Sequence, residues 1–344
     1  MIKHLSTCIS LLFFTSFSGL AQVSLKTVVA EKGDGILSLL RKHNVSPYAY
    51  YDAFIGLNIS HLRDSVHLYE GRAYSIPSVI DSVPVVDSLQ VASKKVEEIK
   101  SEAFNIFGEK HKMVVEKSER LKGNVYYLVS GHGGPDPGAM AVYAKNEIAE
   151  DEYAYDITLR LAKELLSHGA TVYIIIRDEN DGIRDDRILE IDRDEVAYPD
   201  KTIPLNQVAR LKQRVDIVNS LYKKNKGKYQ RLIVTHVDSR SVGQNIDVFF
   251  YHHEKSKNGK KLAKNIHKTF QNKYKKYQPY RTYDGTLGDR TELYMVRKTH
   301  PAVAYIEIGN IKNSKDQRRI LDPDNRQALA KWIGEGVLLD FESD

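Results

Sequence analysis

Only one cysteine, Cys8, occurs in this 344-residue sequence. It lies in an N-terminal stretch that reads as a removable leader, so the mature chain is expected to contain no thiol. That rules out disulfide stapling, thiolate metal ligands and a cysteine nucleophile. Any metal site must be built from His, Asp and Glu, and any hydrolysis must use water or a hydroxyl. Long apolar runs are also missing. None reaches the about 20 residues that span a bilayer, so no transmembrane segment is expected. No sign of charge dominates either, with 51 Lys and Arg against 45 Asp and Glu and a net charge of +6. The basic residues are spread widely, which argues against a dedicated nucleic-acid face. A mild positive balance suits an anionic polymer. No internal repeat is present.

The N-terminus has the three parts of a secretory signal peptide. Met1-Ile2-Lys3-His4 is a short basic region, 9–17 is mostly apolar, and Gly19-Leu20-Ala21 places small residues before a cut after Ala21. Residues 1–21 are therefore expected to direct export, to a periplasmic or extracellular, cell-wall-associated location. Leu5-Ser6-Thr7-Cys8 is not expected to be a lipid-anchor site, because the apolar region follows the cysteine instead of preceding it.

A first unit is expected over 25–77. Val28-Val29-Ala30 reads as a strand, Gly33-Asp34-Gly35 as a turn, and Ile36-Leu37-Ser38-Leu39-Leu40 as a helical apolar stripe. The unit closes on Leu68-Tyr69-Glu70-Gly71-Arg72-Ala73-Tyr74-Ser75-Ile76-Pro77. These residues resemble a LysM module, which implies binding of N-acetylglucosamine-containing glycan. Gly35 stands where that pattern has threonine, and Pro47-Tyr48-Ala49-Tyr50-Tyr51 departs from its middle. Residues 78–122 read as a connector, with a solvated helix expected over the Lys- and Glu-dense 94–117.

From residue 123 onward, strand and helix patterns alternate. Strands are expected over 125–129, 171–177, 231–235, 246–251 and 302–307. Helices are expected over 150–167, 205–226, 260–274 and 325–339. This alternation predicts an α/β domain over 123–344, a mostly parallel sheet flanked by helices.

The stretch Ser130-Gly131-His132-Gly133-Gly134-Pro135-Asp136-Pro137-Gly138-Ala139 follows the apolar run Val125-Tyr126-Tyr127-Leu128-Val129. A histidine thus stands where a strand gives way to a glycine-rich loop, a place for a metal ligand or a base. Three other groups occupy comparable positions. Glu150 opens a helix, with Glu147 as its rival; His236 ends the strand Leu232-Ile233-Val234-Thr235; Glu307 ends Ala302-Val303-Ala304-Tyr305-Ile306. In a parallel sheet such groups gather at the C-terminal edge. Two histidines and a carboxylate with an open fourth position make a His₂Glu catalytic zinc site, leaving a further glutamate to act on water. Taken singly, each has a plainer reading: His236 as a strand cap beside Asp238, Ser239 and Arg240, Glu150 as a helix-start acid, Glu307 as the partner of Arg297.

Several motifs in order carry a resemblance. Gly131 to Ala139 match Gly-His-Gly-Gly-x-Asp-Pro-Gly-Ala. Glu150 opens a helix that runs through Leu159 and Leu161 to Gly169, Val172 and Arg177. Leu211, Arg214 and Asn219 follow, then Thr235-His236-Val237-Asp238-Ser239, and finally Arg297, Pro301, Ala302, Glu307, Gly309 and Asn313. Residues 123–340 are similar to the zinc-dependent N-acetylmuramoyl-L-alanine amidases of the amidase-3 type. The resemblance implies zinc held by His132, Glu150 and His236, with Glu307 as the catalytic carboxylate. Arg297 would orient a peptide carboxylate or Glu307. The implied reaction is hydrolysis of the amide between N-acetylmuramic acid and L-alanine in peptidoglycan, with Glu307 taking a proton from water and passing it to the leaving amine. Val237, Asp238 and Asn310 depart from the family pattern, and 178–204 is longer and more acidic than its usual link. Expected partners are peptidoglycan, as muropeptides and glycan strands, and a protein activator; a monomer is expected. The competing readings are a non-catalytic peptidoglycan-binding or regulatory protein, and a zinc endopeptidase acting on another cell-wall amide.

Overall fold

The computed structural model describes residues 25–31, 34–45, 47–62, 68–77, 101–238 and 246–343. The expected signal peptide, Gly33 and residues 78–100 of the expected connector lie outside them. The chain divides into two units between residues 90 and 91.

In the first unit, β1 (Leu25–Val29) and β2 (Ala73–Pro77) pair antiparallel, and α1 (Ile36–Lys42) and α2 (Pro47–Asn58) come between them in sequence. The core is Val28, Leu39, Leu40, Phe54, Tyr74 and Ile76. Asn58 ties helix to strand: its amide donates to the Ser75 carbonyl and its oxygen accepts from the Ser75 N–H, both at 2.8 Å.

The second unit opens with a small antiparallel pair, β3 (Ser101–Ala103) and β4 (Met113–Val115). The helix expected over 94–117 is absent from its described part. The charge density there is helix-like, but the apolar residues do not recur every three or four positions. Instead Phe104, Phe107 and Met113-Val114-Val115 form short clusters, and Gly108 turns the chain at φ +73°. The segment also belongs to this unit. Phe107, Val114 and Leu121 are buried, and the N–H groups of Lys117 and Leu121 donate to the carbonyls of Ser167 and His168.

The main sheet follows. Its strands are β5 (Val125–Ser130), β8 (Thr171–Ile174), β12 (Gln230–Asp238), β13 (Phe249–His252), β14 (Leu287–Asp289) and β15 (Ala302–Asn310). They lie in the order β14-β13-β15-β12-β5-β8. From β15 to β8 every pair is parallel, while β13 and β14 run the other way. β5 is buried at every position, as its continuous apolar run requires when both faces are covered. The hairpin β6 (Met140–Tyr143) and β7 (Asn146–Ala149) precedes α3 (Glu150–Ser167). A three-stranded antiparallel patch joins β9 (Ile176–Arg177), β10 (Val196–Ala197) and β11 (Lys201–Thr202). Helices α4 (Gln207–Lys224), α5 (Lys257–Tyr277), α6 (Tyr294–Lys298), α7 (Ser314–Leu321) and α8 (Pro323–Glu342) complete the unit.

α3 is buried on almost every side, between β5 and β12 on one face and α8 on another. The segment 178–204 is strapped to it. Arg184 pairs with Glu152 at 2.9 Å, and Tyr153 Oη donates to the Arg187 carbonyl at 3.1 Å. Arg326, with no exposed surface, spans from Asp156 on α3 at 2.6 Å to the carbonyls of Arg184 and Asp186 at 2.8 Å.

Candidate metal centre

β5, β12 and β15 end together at one edge of the sheet, and the first turn of α3 comes over that edge. Beyond Ser130 the chain reverses tightly. Gly133 N donates to the Asp136 carbonyl at 2.8 Å, and His132 itself sits at φ +62°. A side-chain-bearing residue in that conformation costs about 1 kcal/mol or more, so its surroundings must hold it there. Three groups do so. The Arg214 guanidinium donates to the His132 carbonyl, Asp136 Oδ2 lies 3.1 Å from His132 Nδ1, and Glu195 Oε2 accepts from Gly134 N at 2.6 Å. Arg210 in turn holds Asp136 at 2.7 Å.

His132, Glu150 and His236 converge, each offering a ligand atom within 4.8 Å of the others. His132 Nε2 is 3.3 Å from Glu150 Oε2, and His236 Nδ1 is 2.9 Å from Glu150 Oε1. Both carboxylate oxygens are further fixed by backbone, with Ala139 N and Val237 N each donating at 3.0 Å. The His236 ring stacks on Tyr305 at 4.8 Å and meets His132 edge-on at 5.0 Å. Glycine is required where the rings pass the backbone: a Cβ on Gly131 would lie 2.3 Å from the His236 ring.

These residues fit a zinc ion. Two ligands each about 2.0–2.1 Å from a tetrahedral ion stand about 3.3 Å apart, close to the separations here. Asp136 on Nδ1 leaves His132 Nε2 facing the cluster, the arrangement in which a carboxylate orients a ligating histidine. The donors are two imidazole nitrogens and a carboxylate oxygen, a set that zinc accepts.

The electrostatics are those of a tightly coupled cluster. Burial opposes charge on His132, yet Asp136 and Glu150 raise its pKa to about 10. Burial also opposes charge on Glu150, but the two imidazoles hold it well below the usual carboxylate range. His236 is lowered, first by burial. Arg214 is brought down to about 10 by burial. Beside the cluster, burial raises Asp151 to about 8 and Glu152 and Glu195 to about 7.

Glu307 lies in register with His236 on the neighbouring strand, so both side chains leave the same face of the sheet, and it is 7% exposed. Glu147, the rival ligand, is exposed on β7 and outside the cluster. Arg297 is exposed on α6, five residues before β15 begins, whereas Glu307 lies towards the other end of that strand. The structure does not bring Arg297 to the cluster. Ser239 and Arg240, invoked in the plainer reading of His236, lie outside the described residues. Sequence reasoning assigned no role to Asp136, Arg214, Glu195 or Tyr305. Asp136 and Arg214 stood within recognised motifs, but Glu195 carried no local signal.

A family model of N-acetylmuramoyl-L-alanine amidases matches residues 127–338. No curated protein matches the chain. Among solved structures, the CwlD amidase of Clostridioides difficile, in complex with the GerS lipoprotein, has 20% identity and a TM-score of 0.48, covering 65% of this chain and 100% of that one. The amidase AmiC2 of Nostoc punctiforme has 19% identity and a TM-score of 0.44, covering 64% and 97%. The catalytic domain of the amidase CwlV from Bacillus (Paenibacillus) polymyxa var. colistinus has 20% identity and a TM-score of 0.46, covering 64% and 99%.

Proposed function

This chain belongs to the N-acetylmuramoyl-L-alanine amidase family, and we propose that it hydrolyses the amide between N-acetylmuramic acid and L-alanine with zinc held by His132, Glu150 and His236. The observation that carries this reading is the set of three donors drawn together at 2.9 and 3.3 Å. Zinc bound there supplies a Lewis acid, lowering the pKa of a water to about 7 and polarising a carbonyl. The remaining work falls to the chain. Asp136 and Tyr305 fix the two imidazole rings, and the N–H groups of Ala139 and Val237 fix the Glu150 carboxylate. Glu307, beside His236, takes the proton of the attacking water and delivers it to the leaving amine, a general acid–base contribution of about 10²–10⁴-fold.

The first unit would hold the enzyme on glycan strands, supported by the pairing of its Val28-Val29 strand with the Ser75-Ile76-Pro77 strand. Residues 1–21 would direct export to a periplasmic or extracellular, cell-wall-associated location. Among the described residues, no helix is long and apolar enough to cross a membrane. A protein activator is a further expected partner.

The test is the purified mature protein. It is expected to carry about one zinc per chain and to release stem peptides beginning with L-alanine from peptidoglycan, read by mass analysis. Glu307→Gln is expected to keep zinc and lose about 10²-fold or more of turnover; His132→Ala and His236→Ala are expected to lose both. Cut cross-bridges would mean an endopeptidase, and full turnover without metal would exclude the mechanism.

A further inference from the structure

α5 carries eight lysines and no aspartate or glutamate across its 21 residues. Its buried side, including Leu262, Ile266, Phe270 and Tyr274, packs toward α8 and β15. The opposite side is unusual. Lys257, Lys260, Lys264, Lys268 and Lys275 are all exposed, and their spacing of three, four, four and seven residues puts them on one stripe about 27 Å long. None of the five makes an ion pair with a described residue. Lys273, off this stripe, pairs with Glu335 at 2.6 Å.

Like charges four residues apart weaken a helix by about as much as opposite charges strengthen it. Lys260, Lys264 and Lys268 make two such pairs in succession. A local rule broken repeatedly with no internal compensation points outward, to a ligand of the opposite sign. The stripe continues at both ends. Near the start of α5, Lys228 and Lys255 line a cavity of about 670 Å³. Near its end, Lys315 and Arg318 line another of about 460 Å³, together with Arg281 and Arg319. Arg319, which lines this second cavity, donates to the carbonyl of Ile308 on β15, the residue after Glu307, at 2.7 Å.

We propose that the lysine stripe of α5 is a docking surface for the carboxylate-bearing peptide stems of peptidoglycan, guiding the polymer towards the metal-centre edge of the sheet. This rests on the amidase reading for the identity of the polymer. The charge complementarity is direct, because stem peptides carry free carboxylates and the stripe offers unpaired ammonium groups. The association is expected to weaken steeply as salt rises, since the lysines are exposed.

The experiment compares the full mature chain with its Lys260→Gln/Lys264→Gln/Lys268→Gln form. The variant removes like-charge repulsion and touches no residue of the cluster, so an unchanged circular-dichroism melt establishes that it folds. Three exposed ion pairs of ordinary strength predict about tenfold weaker binding to intact sacculi at low ionic strength. The difference should close at high ionic strength. Sacculi whose carboxyls have been amidated should bind the wild type as weakly as native sacculi bind the variant. Turnover of a soluble muropeptide should be equal for both. Equal binding to native sacculi, or wild-type binding indifferent to amidation, overturns the proposal. So does a loss confined to anionic phosphatidylglycerol vesicles, which would make the stripe a membrane surface. Absence of muropeptide turnover by the wild type would defeat the amidase reading while leaving the binding comparison intact.

Discussion

At Gly138 a missing side chain sets the geometry of the centre. Its φ is +70°, and a Cβ there would lie 2.7 Å from the His132 ring and 2.8 Å from Glu150 Oε2. Gly138→Ala must therefore strain the loop and push two donors apart at once. The expected outcome is loss of bound zinc and an at least about 100-fold fall in turnover, with stability lowered by about 1 kcal/mol or more because the left-handed backbone and the packed donors both resist a Cβ; metal analysis alongside activity checks it. An alanine variant with full zinc would show that the loop can relax. This scale was partly legible in the sequence. His132, Glu150 and His236 stood at strand ends and a helix start, where local pattern is informative. Glu195 was not legible, because its contact with Gly134 spans 61 residues and depends on how the acidic 178–204 segment folds back.

At the scale of elements, the central strands and α3 were readable because burial on both sides demands continuous apolar runs. The hairpin β6–β7 was not. Its two turn residues, Ala144 at φ +47° and Lys145 at +72°, adopt left-handed conformations without the Asn-Gly signal that marks such turns. The attachment of residues 113–118 to α3 was equally hidden, and it has a pH signature. Burial alone would raise the Glu164 pKa, but His168 at 3.4 Å and Lys117 hold it at about 2, below the ordinary 4.5. A carboxylate depressed in the folded state stabilises it above the unfolded pKa, and that stability is lost as pH falls through the folded value. Glu164→Gln is therefore expected to be less stable than wild type at neutral pH, by about 3 kcal/mol in order of magnitude. The gap should close between pH 4.5 and about 2. Denaturant melts across that range check it; a gap constant with pH would mean that the pair adds nothing.

At the scale of the whole molecule, the boundary of the catalytic unit lies earlier than composition indicates. Residues 78–122 read as a connector, with a solvated helix over the Lys- and Glu-dense 94–117, yet Phe107 and Leu121 have no exposed surface and Val114 only 5%. Phe107 also accepts from Ile183 N at 3.1 Å, so this segment braces the acidic 178–204 stretch as well as α3. Each fully buried large apolar side chain contributes about 1.5–3 kcal/mol, so removing three of them removes about 5 kcal/mol, a large share of an ordinary domain's stability. A chain starting at residue 101 is therefore expected to melt as the second unit of the full protein does and to cleave soluble muropeptides at the same rate. One starting at residue 123 is expected to be destabilised by about that amount or to aggregate. The residue-101 chain also isolates the contribution of residues 25–77. If that unit holds glycan, its removal leaves the chemical step unchanged and weakens binding to intact sacculi, because a tether raises only the local concentration of polymer. Pull-down on sacculi with both chains measures this. Equal binding would assign residues 25–77 to some purpose other than glycan capture and leave attachment to the second unit alone.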